Sequence, residues 1–464
     1  MGATEHRREL VSLAYPVYLE LLAGVTAGII NMVWVARLGG EAVAAVAVAT
    51  NLENLLLGVI LVAGSGTTVL VARARGAQDP AAVRSAVRGG WALWAVVTPV
   101  VAVGGYLCRE PLARLVLGGG EGGGDGALPL AAGYFSIALP GIAVFFATNV
   151  VDGLLKGAGD TRTPMKLALL ANGLILALDP LLILGCGLGV RGAAIATVLG
   201  RTAALACGAV ALRRNALLRQ AARTPPGRTA PLRSDARGVA ATGLPMSADF
   251  VVRMTGALAL VALVARIGVD EVAAYGIATK AMYVATMAFY SVRQAAAIRT
   301  SHLLGAGHDA RQAVGRQALL LGGALGLTAA LTLLAAGPWV MRAFGSEGPV
   351  AEAGTLYLRC LGPYLILLAC FIALGGVFEG SGGSPVLARI TTCGVLLQLA
   401  LAYGLSGAGL PGICAAMATS MAVQCTAVAV MYRRATPRTA TGDRREDGGS
   451  RTARSGVAVG SPDE

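Results

Sequence analysis

Charge is scarce in this chain. Of its 464 residues only 14% are Asp, Glu, Lys or Arg, against the roughly 25% typical of a soluble domain. That shortage excludes a water-soluble protein of two or three domains. Histidine is scarcer still. His6, His302 and His308 are the full complement, at the N-terminus or in a predicted loop, with no cluster of cysteine or carboxylate around them. A protein metal centre is therefore not expected. The eight cysteines all lie in or beside apolar stretches and none forms a CxxC pair, so they read as packing filler. A nucleophilic serine needs a base, and no histidine falls inside a predicted helix. GLSG at 404–407 is therefore not a protease motif. GLGVRG at 187–192 has no strand before it and is not a dinucleotide loop. No catalytic residue, enzyme activity or cofactor is expected.

What the chain has instead is apolar length. Hydrophobic residues make up 55% of it and mean hydropathy is +0.68. They fall in about twelve blocks: 10–36, 43–71, 89–107, 129–155, 165–186, 190–212, 238–265, 272–300, 316–337, 350–378, 385–404 and 408–432. A helix of roughly 20 residues crosses the ~30 Å hydrocarbon core, and in lipid only a structure that satisfies its own backbone survives. The pattern predicts an all-α polytopic membrane protein with twelve transmembrane helices. The first block is too long for a signal h-region and has no clear cleavage site after it, so it reads as a retained helix.

The net charge of +13 does not point to nucleic acid, because the arginines are sorted by loop. Residues 213–237 carry seven Arg against the single acid Asp235. The loop after the second block carries Arg73, Arg75, Arg84 and Arg88, and the loop after the fourth carries Lys156, Arg162 and Lys166. These are alternate loops, which the positive-inside rule assigns to the cytoplasm. Both termini then lie in the cytoplasm; the Lys-poor, Arg-, Ala- and Gly-rich composition points to a GC-rich bacterial genome, and so to a bacterial plasma membrane. The glycine run at 118–126 reads as a flexible outer loop, and the polar residues 433–464 as a disordered tail. The expected organisation is a six-helix bundle over 1–212, an Arg-rich cytoplasmic linker over 213–237, a second bundle over 238–432, and the tail.

The two bundles repeat one another. VARLGGEAVAAVAVAT (35–50) and VARIGVDEVAAYGIAT (264–279) share nine of sixteen positions at an offset of 229. The same offset pairs Pro16 with Pro245, Glu20 with Asp249, and Gly76-Ala77 with Gly305-Ala306. A second register, offset 223, pairs Tyr134 with Tyr357, Pro140 with Pro363, Gly153 with Gly376, Gly157 with Gly380 and Gly159 with Gly382. A six-helix repeat keeps its orientation in the membrane. The halves should then be related by an axis along the membrane normal, an arrangement of transporters that rock around a central site. Duplication and packing alone would explain the glycines. They explain a matched intramembrane acid less well.

GLLKGAGDTRTP (153–164), its echo GVFEGSGGSP (376–385), LALDPLLILGCGLGVRGAAIAT (176–197) and LAYPVYLELLAG (13–24) together resemble the multidrug and toxic compound extrusion (MATE) family, over about residues 8–432. Within it the chain looks closest to the bacterial branch of DNA-damage-inducible proteins. The resemblance implies a twelve-helix antiporter that expels cationic, amphipathic organic compounds in exchange for protons or sodium. Its partners would be that small molecule, the coupling cation and the lipid bilayer, with no nucleic acid, and it would act as a monomer.

A charge inside a membrane helix is costly and is a functional hypothesis by default. Asp179, Asn31 and Thr197 should sit at similar depth in the outer half of the first bundle. Pro180 disfavours the helical conformation at Asp179 and removes a donor, so a kink with free carbonyls is expected there. A carboxylate in low dielectric can load and release a proton near neutral pH; the bland reading is an ion pair with Arg201. The resemblance implies a cation-coupling site made of an acid in the first helix, Asn and Asp in the fifth and Thr in the sixth. The matching positions here hold Asn31, Ile175, Asp179 and Thr197. Ile175 supplies no oxygen ligand, which favours protons over sodium. Pro16 and Pro245 are expected to kink their helices, and Glu20 and Asp249, each four residues after one of them, could place two acids in a central cavity, attracting a lipophilic cation. Asp249 also has Arg253 one turn on, which suits an intrahelical pair. Glu53 is a weaker candidate, and Lys280 and Arg293 read as side chains that snorkel to the interface. Asp152, Lys156 and Asp160, at the predicted cytoplasmic end of the fourth helix, read as loop-shaping residues. A flippase for a lipid-linked precursor is the alternative function.

Overall fold

In lipid each apolar block can satisfy its backbone only within itself or by closing a barrel, and the blocks are helix-length. The computed structural model describes residues 3–117, 127–223, 231–343 and 348–435. The glycine run at 118–126 and the tail beyond residue 435 lie outside the described residues. Fifteen α-helices follow in order: α1 (Ala3–Ala36), α2 (Gly40–Gly76), α3 (Pro80–Leu107), α4 (Arg109–Leu117), α5 (Ala127–Gly157), α6 (Arg162–Pro180), α7 (Gly189–Arg214), α8 (Ala216–Arg223), α9 (Leu232–Val264), α10 (Val269–Gly305), α11 (Arg311–Ala343), α12 (Gly348–Cys360), α13 (Gly362–Ser381), α14 (Ser384–Gly404) and α15 (Gly409–Ala435). Twelve helical segments among the described residues are long and apolar enough to cross a membrane. The tenth predicted block is split at Leu361 into α12 and the spanning α13.

The expected linker is more helical than its composition suggested. Helix α7 runs on to Arg214, α8 occupies Ala216–Arg223, and α9 begins at Leu232. Leu218 and Ala221 of α8 are buried against the first bundle. Asp235, the acid of the linker, accepts a 2.6 Å hydrogen bond from Ser85 and lies 3.5 Å from Arg88, which ties the start of α9 to α3. The tail also starts later than expected, since α15 holds its helix through Ala435. Pro16 and Pro245 lie inside continuous helices.

Each half has its own apolar core. One gathers residues of α2, α3, α5 and α7, such as Phe135, Leu139 and Leu154. The other gathers residues of α9, α10, α12, α13 and α15, such as Phe289, Tyr357 and Phe371. A third, smaller cluster joins the halves, with Leu10 and Ala14 of α1 against Val292, Ala295 and Leu303 of α10.

Both repeat registers appear as packing. A methyl group placed on Gly153 of α5 would overlap the Gly64 carbonyl of α2, and one on Gly376 of α13 would overlap the Arg293 carbonyl of α10. Residues 64 and 293 are themselves 229 apart, so α2 on α5 is repeated as α10 on α13. Past these helices Gly159 and Gly382 both turn the chain with left-handed backbone, φ 85° and 86°, which glycine adopts without steric cost.

Candidate functional site

A cavity of about 870 Å³ lies between the two bundles. Glu20, Glu53, Asp152, Lys156, Thr197 and Arg201 line it from the first bundle, and Arg253, Arg293 and Glu379 from the second. Methionine and aromatic side chains fill much of the remaining wall, among them Met246, Met282, Phe145 and Tyr290. A largely apolar wall with a few placed polar groups suits an organic ligand, and methionine adapts to varied shapes.

Asp179 and Asn31 meet. Asn31 Nδ2 donates to Asp179 Oδ2 at 2.8 Å, while Oδ1 of the fully buried Asp179 has no hydrogen-bond partner. Thr197 does not join them, because its hydroxyl donates to the Ala193 carbonyl of its own helix at 3.0 Å. The expected kink takes another form. Asp179 and Pro180 keep helical geometry, and the chain then widens into a π-helical turn over Leu181–Gly185, a feature frequent at functional sites. The Arg201 ion pair weighed for Asp179 does not form. The Arg201 guanidinium stacks over the Phe145 ring at 3.9 Å instead.

Glu20 and Asp249 are not bare acids. Lys156 Nζ donates to Glu20 Oε1 at 2.7 Å. Lys156 is therefore a buried cavity residue, not a loop-shaping one, and Asp152 lines the same wall. Asp160 does shape the loop, accepting from the Thr163 amide at 3.0 Å and its hydroxyl at 2.6 Å. Asp249 is 1% exposed and lies behind the cavity wall. It accepts from Thr391 at 2.5 Å, pairs with Arg253 at 2.5 Å, and accepts from Arg293 at 2.6 Å. Arg293 also donates to Glu379 at 2.6 Å. The reading of Arg293 as a snorkelling side chain is thus corrected: it is 4% exposed and sits between two acids.

The repeat rationalises this difference. Glu20 matches Asp249 at offset 229, and Lys156 matches Glu379 at offset 223. The acid–base pair of the first half therefore becomes two acids in the second. Arg293, where the first half has Gly64, supplies the missing cation. The second register carried this signal at Lys156 and Glu379, between the matched glycines, but a basic residue at a predicted helix end gave no reason to look for it.

Comparison with known proteins places this architecture. The MatE family model matches residues 16–181 and 245–404, one stretch in each bundle. The chain belongs to the MatE family. As a MatE protein it is a multi-pass membrane transporter of the multidrug efflux family and not an enzyme. It is 26% identical over 388 residues to the probable multidrug resistance protein NorM of Thermotoga maritima, covering 82% of this chain and 81% of that one. It is 24% identical over 319 residues to the FAD transporter of Shewanella oneidensis, covering 68% of each. A third relative, DNA damage-inducible protein F of Escherichia coli, is 28% identical over 217 residues, covering 47% of this chain and 46% of that one. Two solved structures superpose with TM-score 0.84 at 21% identity, covering 93% of this chain and 96% of theirs. One is described as the outward-facing conformation of a multidrug resistance MATE family transporter. The other is a transporter from Pyrococcus furiosus described by the reverse polarity of its binding pocket.

Proposed function

We propose that this MatE protein is a proton-coupled antiporter that expels amphipathic organic compounds from a bacterial cell by alternating access. The observation that carries this reading is the central cavity walled by two repeated bundles, a layout suited to rocking around one site. Asp179 supports the coupling role. One of its oxygens rests on Asn31 and the other has no partner, so a proton can be taken up there without breaking an ion pair. Ile175 stands where the family places an oxygen ligand, and sodium favours several oxygen ligands, which argues for protons. Thr197 lines the cavity on the neighbouring helix and would sense cargo rather than hold the proton. By the positive-inside rule the Arg-rich ends and both termini face the cytoplasm.

Cargo charge is a separate question. The resemblance implies a cationic cargo, which free acids at Glu20 and Asp249 would attract, but both hold basic partners. The relative named an FAD transporter widens the cargo beyond compounds called drugs. The flippase alternative calls for more helices and a strongly cationic cavity; twelve candidate spans and a lining with Glu20, Glu53, Asp152 and Glu379 weigh against it.

The test uses purified protein in proteoliposomes under a pH gradient. Two xanthene dyes are added in turn, the cation rhodamine 6G and the anion sulforhodamine B. At least one should trigger proton flux, and exchanging sodium for potassium should leave that flux intact. Flux with neither dye would sink the antiport reading, and dependence on sodium would overturn the choice of ion.

A further inference from the structure

We infer that the exported compound carries an anionic group and that Arg201 and Arg253 receive it. The inference rests on the cavity being the transport site. Most charged groups in the wall already hold a partner. Among the acids, Glu20 takes the Lys156 ammonium at 2.7 Å and Glu379 takes Arg293 at 2.6 Å. Glu53 accepts from the Tyr134 hydroxyl at 3.1 Å. Asp152 lies one helical turn before Lys156 and shares its surroundings. Glu20, Glu53 and Glu379 thus each have a donor that the protein itself supplies, while the second oxygen of Glu20 is buried without one.

The two arginines differ. Arg201 makes no hydrogen bond or close ion pair among the described residues and rests on the face of Phe145 at 3.9 Å, with Glu53 and Asp152 near enough to feel its charge but not bound to it. Arg253 gives one amino group to Asp249, while its Nε and Nη1 are buried without an acceptor. Its guanidinium lies 5.6 Å from the Tyr290 ring. Buried donors without acceptors are costly, and a guanidinium offers paired donors matched to carboxylate, sulfonate or phosphate. Arg253 is no relic of the duplication either, since Gly24 stands at its repeat position. Arg201 projects from α7 of the first bundle and Arg253 from α9 of the second. An anion reaching both would bridge the moving halves. The rings beside each arginine, with the methionines between, suit an aromatic body. The class that fits is an aromatic or amphipathic anion, or a zwitterion, rather than a simple lipophilic cation.

The experiment measures binding of the same two dyes to purified protein in detergent, by fluorescence anisotropy, for wild type, Arg201→Gln and Arg201→Lys. The dyes share a ring system and differ in charge. The wild type should prefer sulforhodamine B. Arg201→Gln should lower the ratio of sulforhodamine B affinity to rhodamine 6G affinity on the order of tenfold, the effect of losing one charge-assisted hydrogen bond, and Arg201→Lys should restore part of it. A packing role for Arg201 would weaken both dyes together and leave the ratio unchanged, which would overturn the assignment. So would a wild-type preference for rhodamine 6G. Proton flux in proteoliposomes separates the two layers: flux with rhodamine 6G alone removes the anion site and leaves antiport standing, whereas flux with neither dye removes both.

Discussion

Asp179 is the residue on which coupling is staked, and its surroundings make the prediction sharp. Its side chain is fully buried, with one oxygen on Asn31 at 2.8 Å and the other unpartnered. Asn is nearly isosteric, so Asp179→Asn should insert and purify normally while gradient-driven export falls to the level of empty liposomes. Dye binding without a gradient should persist within about twofold, a difference under 0.5 kcal/mol. Retained export would remove Asp179 from the mechanism. This much of the site was legible in the sequence, because a lone acid deep in an apolar block is conspicuous and depth can be counted from the helix ends. The partners of Glu20 and Asp249 were not legible. Lys156 and Arg293 have long side chains that could equally reach an interface, and only the tertiary arrangement, which brings Glu20 of α1 within reach of α5 and α9 and α13 beside α10, decides where the charge goes. Arg201 was missed as a cavity cation for the same reason: its proximity to Phe145 depends on how α7 rotates.

At the scale of the element, the glycines of the repeat set how closely helices approach. Small residues let membrane helices pack backbone to backbone. Gly376 of α13 lies against the Arg293 carbonyl of α10 with no room for a methyl group, while Gly28 of α1 has open space around its Cβ position. Both substitutions replace a helical glycine with a better helix former, worth roughly 0.5–1 kcal/mol, so only the packing differs. Gly376→Ala should therefore destabilise by about 1–3 kcal/mol, the usual range for overpacking, and Gly28→Ala should be neutral or mildly stabilising. Thermal unfolding in detergent compares them directly, and equal shifts would show that the α10–α13 contact relaxes freely. The elements themselves were readable from the length of the apolar blocks. Their ends were less so. Arg-rich composition suggested an irregular linker at 213–237, yet helices tolerate arginine well, and α7 and α9 extend into it. The break between α12 and α13 falls at Gly362-Pro363, a helix-breaking pair with the proline in the first turn of α13, but the matched Pro140 lies inside the continuous helix α5, so the pair alone does not decide it.

For the whole molecule, the question is what holds the bundles together on the Arg-rich side. Ser247 of α9 donates to the Gly58 carbonyl of α2 near the middle of both helices. Further toward that side Glu9 of α1 forms a two-pronged ion pair with Arg299 of α10, at 2.6 and 2.5 Å. At the end, Gly76 of α2 faces the His302 carbonyl of α10, and Gly305 of α10 faces the Arg73 carbonyl of α2. The repeat-matched glycines thus cross each other, and neither position admits a methyl group. If the chain works by the alternating access proposed above, this contact must open and re-form. Gly76→Ala should weaken the closed state without touching the cavity wall, so hydrogen exchange should quicken over residues 72–79 and 301–308 and export should slow. Glu9→Gln should act in the same direction but less, because Glu9 is 41% exposed and a partly solvated ion pair contributes little, ~1 kcal/mol or below. The distribution of the effect is what discriminates. Faster exchange confined to those two segments would identify the crossing as the gate. Faster exchange spread over both bundles would mean only a loosened fold, and unchanged exchange would mean that the close approach of α2 and α10 is packing with no part in the transport cycle.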